Sequence, residues 1–210
     1  MLPPLILFKN AMFRPRSTAS FYNRLAALYP LIEVFFRTSK AALGMRLAEL
    51  PPTDLLDLGA GDGSSFKWYT HHRITAVELS SVMLGKACLK APEGSQLQLG
   101  DIHNLPFPDH TFGIAVLSHV LATAENPQRV LAEAARVLQP GGRLFILNHF
   151  TPNGLPGLVD ALFQPFGTLL KFRSIFREEA LPLPSGLHKK GSQFFFGGYF
   201  RLLEYQLQDD

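Results

Sequence analysis

Acidic side chains stand at the ends of three short apolar segments whose composition is typical of buried parallel strands. Asp57 precedes a glycine-rich turn, Glu78 ends the second segment and Asp101 ends the third. A carboxylate at the tip of a parallel strand can accept both hydroxyl hydrogens of a ribose diol, which suits Glu78. Asp101 is placed to accept from an adenine amino group. Because the carboxyl ends of parallel strands meet at one edge of a sheet, the pattern predicts an adenosine site.

The turn after Asp57 has glycine at every second position, at Gly59, Gly61 and Gly63. Glycine can adopt positive φ and lets the backbone lie close against a ligand. The spacing is not Gly-x-Gly-x-x-Gly and no Gly-Lys-Ser/Thr follows, so neither a dinucleotide fingerprint nor a Walker loop is predicted. A glycine-rich turn alone is also typical of a purely structural connection, and the acidic residues are therefore decisive.

Alternating strand and helix patterns surround these residues and predict an α/β fold with a doubly wound, mostly parallel, seven-stranded sheet. Helices are expected over 64–72, after Ser80, and after Asn126-Pro127, where an N-cap precedes proline. The predicted strands cover 55–58, 74–79, 97–102, 111–118 and 143–148, followed by an antiparallel hairpin over 193–196 and 201–208.

The flanks of this pattern are predicted to cover the crevice. Residues 1–50 are read as an irregular arm, a helix that starts at Ser17 or Thr18, and a second helix over 31–50 after Pro30. These helices either close the crevice as a lid or also rest on a membrane through their aromatic face. Residues 51–210 are expected to form the domain that holds this site, with a helical insertion over 151–193 that covers the crevice.

Composition favours one intracellular domain. The chain has 210 residues, a net charge of +3, 18 phenylalanines and a single cysteine, Cys88. One cysteine excludes an intramolecular disulfide and suits the reducing cytoplasm. No apolar run is long enough to cross a bilayer, and we expect no signal peptide. A mildly basic, Phe-rich chain is compatible with peripheral contact with an anionic membrane on its inner face.

At this point the chain resembles the class I S-adenosylmethionine (SAM)-dependent methyltransferases, which have a Rossmann-like fold. The motifs that carry the resemblance are Asp57-Leu58-Gly59-Ala60-Gly61-Asp62-Gly63, Val77-Glu78-Leu79-Ser80, Gly100-Asp101-Ile102, Leu105-Pro106-Phe107 and Arg136-Val137-Leu138-Gln139-Pro140-Gly141-Gly142. The resemblance implies SAM as cofactor and S-adenosylhomocysteine as product. The candidate cofactor-binding residues are Asp57, Gly59, Ala60, Gly61, Glu78, Leu79, Met83, Asp101, Ile102, Ser118 and His119.

Within that family, three features are similar to bacterial phosphatidylethanolamine N-methyltransferases. They are Tyr22-x-x-x-Ala26-x-x-Tyr29, Leu105-Pro106-Phe107-Pro108 and Asn148-His149-Phe150. The resemblance implies that Tyr22 and Tyr29 line an amine pocket through cation–π contacts. It also implies a basic site for the lipid phosphate, with Lys171, Arg173 and Arg177 as candidates. The chain departs from the family at Pro30, where aspartate is usual.

Two histidines fall at strand tips, His119 after the fourth strand and His149 after the fifth. An amine must be neutral to attack a methyl group, and a histidine can relay the proton that it loses. His149 is the preferred catalytic candidate, although a hydrogen bond to a loop carbonyl would explain it equally well. His119 is expected nearer the cofactor. The other five histidines, including His72 and His103, are read as surface or loop residues, and no metal-ligand spacing is present.

Alternative functions remain open from the sequence. The ubiquinone/menaquinone-type C-methyltransferases share most of these motifs, and a small-metabolite N- or O-methyltransferase is a further candidate. A different class is a non-catalytic, SAM-binding, membrane-associated protein. A nucleic-acid substrate is not expected, because the chain has neither an Asn/Asp-Pro-Pro-Tyr/Phe motif nor a dense basic stripe.

Overall fold

The computed structural model describes residues 29–69, 71–151 and 177–208, with side chains from residue 36 onward. These residues form a seven-stranded sheet in the order β3-β2-β1-β4-β5-β7-β6. The strands are β1 (Asp54–Leu58), β2 (Arg73–Glu78), β3 (Gln96–Leu99), β4 (Phe112–Ser118), β5 (Leu138–His149), β6 (Leu187–Phe195) and β7 (Phe200–Leu207). The helices are α1 (Tyr29–Ala48), α2 (Ser81–Cys88) and α3 (Pro127–Val137).

The first five strands run parallel, and β7 joins β5 and β6 in antiparallel pairs. The predicted doubly wound sheet with its closing hairpin is therefore confirmed. The strand order reverses between β1 and β4, which are hydrogen-bonded neighbours in the sheet. In open α/β sheets a ligand binds outside the carboxyl ends of the strands at such a switch point. This topology brings the ends of β1, β2 and β4 together.

The core lies on both faces of the sheet. One buried cluster packs α3 against β4, β5 and β7, and the other packs α1 against β1, β2 and β5. Helix α3 begins where the sequence predicts it, because the Asn126 side chain accepts from Arg129 N at 3.0 Å and Pro127 has no N–H that would need an acceptor in the first turn. The Ser80 hydroxyl likewise accepts from Met83 N at 3.2 Å and starts α2.

Helix α1 corresponds to the second predicted N-terminal helix and begins two residues earlier, with Pro30 in its first turn. It packs closely on the connection between β1 and β2. A Cβ added to Gly44 would lie 2.7 Å from Trp68 Cβ, so glycine is needed for this approach. The first predicted helix lies outside the described residues, as does the helical part of the predicted insertion.

The predicted helix over 64–72 is wrong, because the structure has only a short 3₁₀ helix, Phe66–Trp68. Phe66 and Tyr69 are both fully buried, and their spacing of three residues matches the 3₁₀ repeat. Helix α1 occupies the neighbouring surface, and the chain must reach β2 at Arg73. These constraints leave space for one tight turn only.

Three strand boundaries also differ from the sequence prediction. β5 begins at Leu138, which pairs with Phe112 before a register shift, so the Pro-Gly-Gly segment lies within the strand. β6 begins at Leu187 instead of residue 193, and β3 ends at Leu99, which leaves Asp101 in the following loop. Among the described residues, no helix combines the length and apolar character needed to cross a membrane.

Candidate active site

A cleft of about 720 Å³ opens at the carboxyl edge of the sheet. Three of its lining side chains are carboxylates, and no lysine or arginine is among the lining residues that the structure describes. Its walls are Gly59, Gly61, Glu78, Leu79, Met83, Asp101, Ile102, His103, Ser118, His119, Val120, Thr123, Ala124 and Glu125. The cleft is therefore suited to a cationic ligand and not to a polyphosphate.

The glycine turn forms one wall with its backbone. Gly59, Gly61 and Gly63 have φ of 79°, 58° and 73°, in the region that favours glycine. A Cβ on Gly59 would lie 2.6 Å from a methyl carbon of Val120 on the loop after β4. The turn is fixed because Gly59 N donates to Val77 O at 2.8 Å. Glycine is thus required both by conformation and by the close approach of the two loops.

Glu78 ties the second strand to this turn. One carboxylate oxygen accepts from Gly61 N at 2.9 Å and the other accepts from Ser80 N at 2.8 Å. Burial raises the pKa of Glu78, and the hydrogen bonds from Ser80 and Gly61 oppose that rise. A carboxylate has about four acceptor positions, so lone pairs remain for a diol on the cleft side. The side chain is both a clamp on the turn and a wall of the cleft.

Asp101 is held in place by a neighbouring histidine, His103, which was predicted only to be a surface or loop residue. Asp101 Oδ1 accepts from His103 N at 3.0 Å and lies 2.6 Å from His103 Nδ1. His103 Nε2 accepts from Asn126 N at 3.2 Å, so the ring carries its proton on Nδ1 and donates to the carboxylate. His103 thereby links the third strand end to the start of α3.

Asp57 lies behind the glycine turn and does not line the cleft. It is 1% exposed, and Tyr69 Oη donates to its Oδ2 at 3.2 Å. Its Oδ1 is buried without a hydrogen-bond partner among the residues described. Burial raises the pKa of Asp57 to about 7, and the Tyr69 hydrogen bond and the charge of Lys40 oppose the rise. When it is ionised, this carboxylate places a negative charge behind the glycine turn, and a cation in the cleft would favour that charged form.

Lys40 is a buried cation that the sequence analysis did not assign to the site. It reaches from α1 to the glycine turn, where Nζ donates to Ser64 Oγ at 2.8 Å, and it is only 4% exposed. It shares a helical face with the buried residues Leu43 and Leu47 at spacings of three and seven. That position on the apolar face was the signal available in the sequence.

His119 sits at the tip of β4 with φ of 58° and is stacked on Phe36 at 4.1 Å between ring centroids. Its Nε2 is buried and has no hydrogen-bond partner within the described parts of the chain. Burial, with smaller contributions from the charges of Lys40 and His149, lowers the pKa of His119 to about 3. The imidazole is therefore neutral at pH 7 and presents an aromatic face to its surroundings.

An aromatic cluster continues from His119 towards the closing hairpin. Phe200 makes edge contacts with Phe36 at 5.2 Å and with His119 at 5.6 Å. His149 packs on Tyr199 at 5.7 Å and on Phe200 at 6.0 Å. We call Phe36, His119, His149, Tyr199 and Phe200 the aromatic cluster. It joins α1, β4, β5 and β7 beside the cleft.

The structure gathers most of the predicted cofactor residues around one cleft, while their assigned roles stay predictions. Those that line it are Gly59, Gly61, Glu78, Leu79, Met83, Asp101, Ile102, Ser118 and His119, whereas Asp57 and Ala60 are buried and do not line it. His149 and Arg177 do not line it either, and Arg177 is exposed. Tyr22, Lys171, Arg173 and the Tyr29 side chain lie outside the described residues.

Two of the histidines predicted to be surface or loop residues lie in loops but are not simple surface residues. His103 lines the cleft, and His72 is buried because its ring bridges Thr53 N and Leu47 O. The lining residues that sequence reasoning missed are His103, Val120, Thr123, Ala124 and Glu125. Four of these follow β4 directly, so the rule that loops after parallel strands line the site could have found them.

The fold and site define a class of protein: an α/β enzyme that binds an adenosyl cation at a topological switch point. SAM fits these residues. The paired acceptors of Glu78 match a diol, the bare wall at Gly59 matches a close backbone contact, and the carboxylates that line the cleft match a positive charge. When bound, SAM supplies an electrophilic methyl group on a sulfonium. The residues around the cleft would bind and orient it.

Comparison with known proteins supports this class. A family profile described as a methyltransferase domain matches residues 56–146. A phosphatidylethanolamine N-methyltransferase of Cereibacter sphaeroides is 31% identical over 160 residues, which cover 72% of this chain and 79% of that protein. The chain belongs to the class I SAM-dependent methyltransferases, with SAM as its methyl donor.

Two further similar proteins are a methyltransferase with a different kind of substrate and a methyltransferase of known structure. A ubiquinone/menaquinone biosynthesis C-methyltransferase of Ruegeria sp. is 33% identical over 156 residues, which cover 66% of this chain and 62% of that protein. The chain thus spans less than two thirds of that relative. The crystal structure of a SAM-dependent methyltransferase of Thermotoga maritima has a TM-score of 0.71 at 20% identity and covers 90% of this chain and 99% of that chain. This likeness shows the fold.

Replacing Gly59 with alanine is expected to weaken SAM binding at least tenfold and to lower thermal stability. Alanine must adopt φ near 79° there and displace Val120, whose methyl would lie 2.6 Å away. Isothermal calorimetry and a melting curve check both effects. Gly85→Ala is the matched control, because a Cβ there meets nothing within 4 Å. Equal SAM affinity in the two variants would contradict the assignment of Gly59.

Proposed function

We propose that this protein N-methylates the ethanolamine headgroup of phosphatidylethanolamine, and its mono- and dimethyl forms, towards phosphatidylcholine. The observation that carries the proposal is the aromatic cluster beside the cleft. Methylated ammonium groups are bound by aromatic faces through cation–π attraction. The 31% identity to a phosphatidylethanolamine N-methyltransferase supports the same acceptor.

The electrostatics of the cluster support a cationic acceptor. His119 remains neutral at pH 7 because its pKa is lowered to about 3, so it does not repel an ammonium. Its buried Nε2 can accept a hydrogen bond from an amine that still carries a proton. Glu125 in the cleft wall adds a negative charge that would hold the headgroup close to the methyl donor.

His149 is proposed as the residue that takes the proton from the attacking amine. It ends β5 and its ring packs against Tyr199 and Phe200. Tyr22 and Tyr29 are proposed to complete the amine pocket, and Lys171, Arg173 and Arg177 to bind the lipid phosphate. In this proposal the enzyme works peripherally on an anionic membrane surface and needs neither a metal nor a nucleic acid.

Lipid analysis in a bacterial host tests this function. The host makes phosphatidylethanolamine but no phosphatidylcholine, and its lipids are analysed by mass spectrometry after expression. Mono-, di- or trimethylated headgroups are the expected result. An unchanged lipid profile, with purified protein that binds SAM and methylates another acceptor, would refute the proposal.

A quinone-ring C-methyltransferase is the second candidate. The 33% identity to a ubiquinone/menaquinone biosynthesis enzyme favours it, and aromatic side chains also stack on a flat quinone ring. Purified protein with SAM carrying a labelled methyl group distinguishes the two. Label in demethylmenaquinone and none in phosphatidylethanolamine would favour this candidate.

His149→Ala is expected to lower kcat at least tenfold while SAM affinity stays within twofold, because proton transfer by a positioned base contributes about 10²–10⁴-fold. The loss should shrink as pH rises and free amine accumulates. Steady-state rates from pH 6 to 9, with calorimetry for SAM, provide the measurement. His71→Ala is the control, since His71 is exposed and bonded to Leu50 O. A normal rate in His149→Ala would show that His149 does not accept the proton from the attacking amine.

A further inference from the structure

Two phenylalanines project from the tip of the closing hairpin. Phe194, near the end of β6, is 59% exposed, and Phe196, in the turn to β7, is 50% exposed. Two large aromatic side chains exposed within three residues are unusual on a water-soluble surface, where such patches generally mark contact sites. They stand at the same end of the molecule as the aromatic cluster.

The backbone of the tip is held in a strained form. Phe196 has φ of 50°, and Gly197 and Gly198 follow at 66° and 91°. Positive φ is an outlier for a bulky residue, and such strain is concentrated at functional sites. Glycine or asparagine would suit position 196 better if only the turn mattered. A phenylalanine in a backbone conformation that disfavours it points to a use for its side chain.

The tip is linked to the cleft by ring contacts. Phe196 packs on Phe200 at 6.0 Å between centroids, and Phe200 packs on His119 at 5.6 Å. His119 lines the cleft. A surface that receives the tip would therefore lie at the entrance of the site.

Cationic side chains flank the exposed phenylalanines. From residue 177 to residue 201 the sequence has four Lys or Arg side chains and two Glu side chains. Glu178 is paired with Lys189 and with Arg201, the latter at 2.6 Å. Arg177 and Lys190 are exposed, and Lys190 lies on the same strand as Phe194, four residues before it. Arg201 also lies 5.4 Å from the Phe194 ring centroid and holds that ring in place.

We propose that the β6–β7 hairpin tip docks the enzyme on an anionic phospholipid surface, with Phe194 and Phe196 entering the interface and Lys190 contacting lipid phosphates. Apolar rings together with basic side chains bind anionic bilayers by burial of the rings and by attraction to the headgroups. Docking would bring the lipid headgroup to the cleft. Its biological purpose therefore rests on the proposed methylation of phosphatidylethanolamine. Docking itself can be measured without turnover.

A second protein chain is the less favoured occupant. β6 is an edge strand, and edge strands can pair with another sheet. Here the register shifts between Lys189 and Gly191, and two lysines lie in the same stretch. Both features hinder strand pairing, whereas neither hinders contact with a lipid surface.

Vesicle flotation of the full-length protein tests the docking. Vesicles contain phosphatidylglycerol and phosphatidylcholine, with no ethanolamine lipid and no SAM. The double variant Phe194→Ser/Phe196→Asn is expected to lose at least tenfold in partitioning, and Lys190→Glu several-fold. Asparagine tolerates positive φ, so the double variant should fold. The controls Leu89→Ser, at a site 79% exposed at the end of α2, and Lys67→Glu should partition within twofold of wild type.

The outcomes separate docking from function. Wild-type binding that the hairpin variants lose and the controls keep supports the docking proposal. No wild-type binding, or equal binding of the double variant, overturns it. A wild-type dimer that the double variant loses in light scattering also overturns it in favour of a second copy. Methylation of phosphatidylethanolamine in detergent micelles tests the proposed function separately, because micelles bring the lipid to the cleft without a bilayer.

Discussion

Replacing Glu78 with alanine is expected to weaken the binding of SAM and of S-adenosylhomocysteine by at least about 100-fold. Hydrogen bonds to charged groups contribute about 1.5–3 kcal/mol each, and a diol would make two with this carboxylate. Two such bonds correspond to about 10²–10⁴ in the dissociation constant. The variant also removes the acceptor of Gly61 N, so the glycine turn loses a constraint on the cleft side. Isothermal titration calorimetry with both ligands measures the change.

Two further variants sharpen this prediction. Glu78→Gln keeps the shape and one acceptor oxygen, so its affinity should fall between wild type and alanine. Asp109→Asn removes a carboxylate that pairs with Arg136 and does not line the cleft, and it should bind SAM like wild type. Circular dichroism establishes that each variant is folded. If Glu78→Ala binds within threefold of wild type, the diol is held elsewhere.

The central part of the fold could be predicted because its signals are local. The glycine turn after Asp57, the cap at Ser80 and the Asn126-Pro127 start of α3 are each specified within a few residues. Alternation of apolar strands with capped helices then fixes a parallel sheet, and the sheet's topology fixes where the strand ends meet. The carboxylates Glu78 and Asp101 follow from that topology.

Other parts of the site depend on contacts between distant segments. Lys40 and Phe36 come from α1 and reach the glycine turn and His119, and nothing near them in the sequence indicates either partner. The same helix explains why the segment after Ser64 is a 3₁₀ turn, because Trp68 meets Gly44. Tertiary packing of this kind overrides local helix preference.

The link between His103 and Asp101 was missed for a different reason. A histidine two residues after a strand end has no distinctive pattern, and its role emerges only when α3 presents Asn126 N to its other nitrogen. His119 could be placed at a strand tip, but its stacking and its low pKa depend on burial against Phe36 and Phe200. Burial is a property of the whole fold and cannot be read from one segment.

Asp57→Asn is expected to stabilise the ligand-free protein while weakening its affinity for SAM. The structure buries a carboxylate whose Oδ1 has no hydrogen-bond partner among the described residues, and its pKa rises to about 7. A rise from 3.8 to about 7 corresponds to ~4 kcal/mol of destabilisation of the charged form. Asparagine can still accept from Tyr69 Oη and carries no charge. Its melting temperature at pH 8 should therefore exceed that of wild type by several degrees.

The stability gain expected for Asp57→Asn depends on pH in a defined direction. A carboxyl with a raised folded-state pKa binds its proton more tightly in the folded protein than in the unfolded chain. Its contribution to stability is complete below the unfolded value near 3.8 and is lost as pH rises through about 7. The advantage of Asp57→Asn should be absent near pH 3.5, grow between about pH 4 and pH 7, and stay constant above that. Melting curves of both proteins at six pH values test the profile.

Cofactor affinity should change in the opposite direction. A cation in the cleft favours the charged form of Asp57, so wild-type affinity for SAM should fall as pH drops through about 7. Asp57→Asn should bind SAM at least tenfold more weakly at pH 8 and show a flatter pH profile. Asp62→Asn is the matched control, because Lys90 pairs with that carboxylate and its pKa is lowered. A variant that gains neither stability nor pH independence would show that the folded protein does not raise the pKa of Asp57, and the role assigned to this buried carboxylate would then be wrong.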